Sequence, residues 1–206
     1  MKIIFKYDLQ KDTENFLKSF NSVNNKKPTK LQELYIETIG EVVPEKVSEF
    51  LQNQVVDVTN KLERIKSDWE RVEIEVLGRM TELFNVSLSA DVVVYLSANS
   101  RCTYNIKENY FFVYMNSEKS NCVIAHELLH FYTWSSFYEE LMQKGISGEQ
   151  YNNIKESLTE LLNTDFQDIL DGQYDKGYPQ HLEMRKRINH LRKEGKDINF
   201  IVDDLR

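Results

Sequence analysis

Apolar residues recur along this chain with two different periods, and the changes of period mark its predicted elements. From Met1 to Asp8, Ile3, Phe5 and Tyr7 alternate with other residues, which predicts a strand over residues 2–8. Asp12 or Thr13 then stands where a cap is needed for a short helix carrying Phe16, Leu17 and Phe20. The polar stretch Asn21–Lys30, with Pro28, predicts a loop. Thr29 and Gln32 fit a capping box for a helix that Gly40 can end.

Pro44 suits a first helical position. Beyond it Val47, Leu51, Val55, Val58, Leu62, Ile65, Trp69, Val72, Val76, Met80 and Leu83 follow at spacings of three and four. That pattern predicts one long amphipathic helix, or two with a kink. A coiled coil is the competing reading, but the flanking positions carry no regular charge code. Asp91–Leu96 is short and β-branched, and two further strands are predicted over Arg101–Asn105 and Tyr110–Met115. Helices are predicted from about Ser117–Asn121 through His126, then through Leu141 to Gly145. Another starts at the capping box Ser147–Gln150 and carries Ile154, Leu158, Leu161 and Leu162, and a last one spans about His181–Lys193.

The fold class expected from this order is α+β and mostly helical. A strand and helical part over residues 1–86, a candidate partner-binding or regulatory element, precedes a part over 87–206 that holds the candidate chemistry. With 7 glycines and 3 prolines in 206 residues, a sandwich or barrel is disfavoured. The net charge of −7 argues against a nucleic-acid partner. The local patch Arg185–Arg187 with Arg192, Lys193 and Lys196 reads as a solvated helix face. The 2 cysteines do not make a disulfide framework, which points to a reducing compartment. The N-terminal apolar run is too short for a signal peptide, and no stretch reaches a membrane span. A cytoplasmic protein without a membrane partner is therefore expected.

The chemistry concentrates in Val123–Tyr132, which contains His126-Glu127-Leu128-Leu129-His130. Histidines four apart on a helix point both imidazoles at one spot. Two imidazoles plus one more ligand make a catalytic zinc site with an open position, and Glu127 stands where a general base for a zinc-bound water is needed. Cys122 lies one turn before His126 and could also reach a metal, though a lone helix cysteine is more often a small buried residue.

These residues resemble the zincin superfamily of metallopeptidases, in which a small sheet precedes the motif helix and a later helix supplies the third ligand. Thr133-Trp134-Ser135-Ser136 follows the motif, so the metzincin continuation is absent. Glu156-Ser157-Leu158-Thr159-Glu160 is similar to the gluzincin pattern of a ligand Glu with an acidic residue four positions on. The resemblance implies His126, His130 and Glu156 as zinc ligands. It implies Glu160 as the carboxylate that orients an imidazole, and the reverse assignment of the two glutamates stays open. It further implies a Tyr or His from the C-terminal part as an oxyanion donor, for which His181 comes first and Tyr178 second. In zincins an edge strand pairs with the substrate backbone, and Tyr110–Met115 is either that strand or a core strand.

The expected activity is zinc-dependent hydrolysis of a peptide or protein substrate. Cleavage within chains is favoured, because the Gly-x-Met-Glu-Asn motif of one large aminopeptidase family is missing. The alternatives are a catalytically inactive zincin-fold binding or regulatory module, and a peptidase dedicated to one regulatory partner.

Overall fold

The computed structural model describes residues 1–21 and 27–206. Part of the loop expected over Asn21–Lys30 lies outside them. The chain divides into two compact units that interleave in sequence. One comprises Met1–Asp68 with Ala90–Ser120, the other Trp69–Ser89 with Asn121–Arg206. The sequence reading divided the chain once, near residue 86.

In the first unit, strands β1 (Ile3–Lys6), β2 (Val92–Ser97), β3 (Tyr104–Asn105) and β4 (Tyr110–Tyr114) form one sheet in the order β1-β2-β4-β3. β1, β2 and β4 are parallel, and β3 runs antiparallel to β4. Val92, Val94 and Leu96 of β2 and Phe111, Phe112 and Val113 of β4 are buried. β4 is thus an inner strand between β2 and β3, the core-strand alternative of the two left open for Tyr110–Met115.

Helix α1 (Leu9–Asn21) begins earlier than Asp12 or Thr13 would allow. Its cap is Asp8, whose Oδ1 accepts from the Lys11 N–H at 3.0 Å. Helix α2 (Lys30–Thr38) has the full Thr29–Gln32 capping box, and α3 (Pro44–Gln54) starts on its proline. Phe16, Tyr35, Val47, Phe50 and Leu51 of these helices form a core cluster.

Asp12 is buried. It accepts from the Ser97 hydroxyl at 2.5 Å and from the Ala98 N–H at 3.0 Å. Burial raises its carboxyl to about 6, and these hydrogen bonds offset only part of the rise. The folded chain therefore holds a proton that the unfolded chain has lost, so this group's contribution falls as pH rises from about 4 to 6 and stays low above that. Relative to wild type, Asp12→Asn should gain about 2–3 kcal/mol between pH 4 and pH 7. Urea midpoints of both proteins at the two pH values check this, and a difference that does not change with pH would refute it.

The predicted long helix is three helices, α3, α4 (Val58–Glu70) and α5 (Glu73–Phe84). Asp57, at φ 60, marks the first break. In the second unit, α5 buries Val76, Met80 and Phe84. The pair expected across His126 and Leu141 is one helix, α6 (Ser120–Gln143), ended by Gly145 at φ +82. The helix expected from Ser147 through Leu162 breaks into α7 (Gly148–Leu158) and α8 (Leu161–Asp165). A 3-10 turn over Pro179–His181 leads into α9 (Leu182–Lys193), and α10 (Ile198–Asp204), capped by Asp197, is an addition to the prediction. The α+β, mostly helical class is as expected, with a small mixed sheet. No described helix is long and apolar enough to cross a membrane.

Candidate metal centre

Helix α6 is apolar around the motif: Ile124, Ala125, Leu128, Leu129 and Phe131 are buried, which fixes the rotation of the helix. His126 and His130 then lie on one side with ring centroids 4.6 Å apart. The register of α7 is set by its capping box, in which Ser147 Oγ accepts from the Gln150 N–H and Gln150 Oε1 from the Ser147 N–H. Ile154 and Leu158 bury one face of α7, and Glu156 turns towards the imidazoles. Glu156 Oε2 lies 3.9 Å from His126 Nε2, and Oε1 lies 3.5 Å from His130 Nε2.

One donor atom from each of these three residues lies within 4.8 Å of the others. Zinc with bonds of about 2.0–2.2 Å to N and O sets tetrahedral donors roughly 3.3–3.5 Å apart, so small movements would close this group on an ion. Cys122 is buried one turn earlier and is not part of the group.

The carboxylate against an imidazole is Asp175, not Glu160. Asp175 Oδ2 lies 2.6 Å from His126 Nδ1. That bond places the proton on Nδ1 and leaves the Nε2 lone pair for an ion. Glu160 turns elsewhere because α7 ends before it: the Thr159 hydroxyl donates to the Glu156 carbonyl, and Glu160 sits in the gap before α8. Its carboxylate pairs with Arg185 Nη2 at 2.8 Å and accepts from Asn163 and Asn189.

Arg185 was expected on a solvated face, but it is buried. Its Nη1 lies 3.0 Å from Asp175 Oδ1, its Nη2 donates to the Asp175 carbonyl at 2.7 Å, and Nη1 also donates to the Thr159 hydroxyl. The chain passes it at Gly177, whose φ is +57 and where an added Cβ would lie 2.7 Å from the guanidinium. Glycine is the residue that fits both conditions.

Charge and burial set the titration of the group. Burial holds the His130 imidazole well below its ordinary range, with the charges of His126 and Lys155 adding to the effect, so it is neutral and able to ligate. Burial acts to lower His126, but the bond to Asp175 and the charges of Asp175, Glu127 and Glu156 outweigh it, and the net direction is up. Burial acts to raise Asp175, but the bond to His126 and the Arg185 charge bring it below its usual value. Glu127 is pushed up to about 7, chiefly by burial and further by Glu156 and Asp175, against His126 and Lys155. Its Oε2 is buried without a hydrogen-bond partner.

Of the expected oxyanion donors, His181 is buried and its Nε2 lies 3.2 Å from Asn153 Oδ1. Tyr178 is exposed, with its ring edge-on to His181 at 5.9 Å. Compared with protein-family models, curated proteins and solved structures, the chain returns no match.

Proposed function

We propose that the protein is a zinc-dependent metallopeptidase of zincin type acting on a peptide or protein substrate. The observation that carries this reading is the convergence of His126, His130 and Glu156 beside a Glu127 carboxylate with an unpartnered, buried oxygen. Two imidazoles and one carboxylate suit zinc, and three protein donors leave a position for water or substrate. When bound there, zinc would polarise a carbonyl and acidify a water.

The chain's own residues supply the rest. Glu127 takes a proton on Oε2 and later releases it to the leaving amine, a role that suits a carboxyl raised towards neutrality. Asp175 keeps His126 in one tautomer and orientation. His181, whose Nδ1 has no hydrogen-bond partner, and Tyr178 are the candidate donors to a developing oxyanion.

The test is zinc per chain by elemental mass spectrometry, on wild type and on Glu156→Ala purified without added metal. The expected result is about one zinc in wild type and a small fraction of that in the variant, as loss of one of three protein ligands implies. Wild type without zinc after supplementation would overturn the reading.

A further inference from the structure

Lys155 is 2 % exposed. It lies on the apolar face of α7 with Tyr151, Ile154 and Leu158, all buried. Its Nζ donates to Glu156 Oε1 at 2.8 Å. An ammonium is costly to bury and stays charged only against an anion, so the Lys155–Glu156 pair is held together by its surroundings.

The consequence lies in the two oxygens of Glu156. Oε1 accepts from Lys155 and also lies 3.5 Å from His130 Nε2, whereas Oε2 lies 3.9 Å from His126 Nε2. A carboxylate free at both oxygens can chelate, which suits larger, harder cations that take six to eight oxygen ligands. A carboxylate tied at one oxygen offers a single donor, which suits a four-coordinate ion held by three protein ligands.

We propose that Lys155 is a specificity-determining residue for the metal: its hydrogen bond to Glu156 Oε1 opposes chelation through both carboxylate oxygens and so favours zinc over cations of higher coordination number. The proposal rests on the metal-centre reading above.

Cobalt(II) is the probe, because the intensity of its visible bands reports coordination number directly and needs no substrate. Wild type loaded with Co2+ is expected to show the intense bands of a four- or five-coordinate ion. Lys155→Met should weaken those bands roughly threefold or more and raise affinity for Mn2+ relative to Co2+ about tenfold. Lys155→Gln, which keeps a donor near Oε1 without the charge, should stay close to wild type in band intensity.

Lys155→Met with unchanged bands and an unchanged Mn2+/Co2+ ratio would overturn the role of Lys155 and leave the metal centre standing. Weak, six-coordinate bands in wild type would do the same, and this arm can overturn the role even should Lys155→Met fail to fold. A wild type that binds no Co2+ would overturn the metal centre and the Lys155 role together.

Discussion

Glu127→Gln is expected to keep its zinc and lose hydrolysis by about 10²–10⁴-fold in kcat, the range that a positioned general base contributes. The amide has the shape of the carboxyl but no oxygen that can take up a proton at neutral pH. The same change should stabilise the fold at pH 8. Burial places the carboxyl at about 7, so the folded chain carries a disfavoured charge above that pH, and Gln removes it. The two effects have opposite signs, as when a site is kept strained for function. Cleavage of a fluorogenic peptide mixture, zinc content and urea midpoints at pH 8 together check it. A variant that still cleaves would remove Glu127 from the mechanism, and one that loses zinc would make it a ligand.

Arg185→Met should cost the fold about 3–5 kcal/mol, the range for breaking a buried ion pair from one side. Met fills much of the arginine volume, so the loss is electrostatic more than steric. It strands two buried carboxylates, Asp175 and Glu160, and removes the donor to the Asp175 carbonyl. Because Asp175 holds His126, zinc affinity should fall as well, by about 10–100-fold, as when a residue behind a metal ligand is removed. Denaturant midpoints and competition with a zinc chelator measure the two. A variant within about 0.5 kcal/mol of wild type, the range for ordinary surface substitutions, would show that the clamp does not hold the unit together.

Much of this arrangement was legible in the residues. Local signals translated directly: both capping boxes, the proline that opens α3 and the glycine that ends α6 are where the chain chemistry puts them. The four-residue spacing of His126 and His130 puts both imidazoles on one side of α6, and the Glu156 that the resemblance implied lies within 4.8 Å of them. The assignment of Glu160 failed because it assumed an unbroken helix, whereas α7 stops at Leu158. Asp175 was missed because it lies in a loop, where no period constrains which way a side chain faces.

Lys155 and Arg185 were missed for a different reason. Each shares the apolar stripe of its helix, Lys155 with Tyr151, Ile154 and Leu158, and Arg185 with Ile188 and Leu191. Charge alone read Arg185 as a surface residue and nothing singled out Lys155, but period places both inside. A basic residue in phase with an apolar stripe is thus a signal for a buried carboxylate partner.

The parallel pairing of β1 with β2 also bears on how the chain acquires its structure. Ile3 pairs with Val92, and Lys2 bonds to Asp91 across 89 residues. On a ribosome adding about 5–20 residues per second, β1 has no strand partner for several seconds or more after it emerges. Helices α1 to α3 can form locally in that interval, whereas the sheet must close a long loop late and slowly. Pulse-labelled hydrogen exchange should therefore protect the amides of α1 and α3 before those of β1. A chaperone that shields extended apolar segments would find its target in Ile3–Phe5.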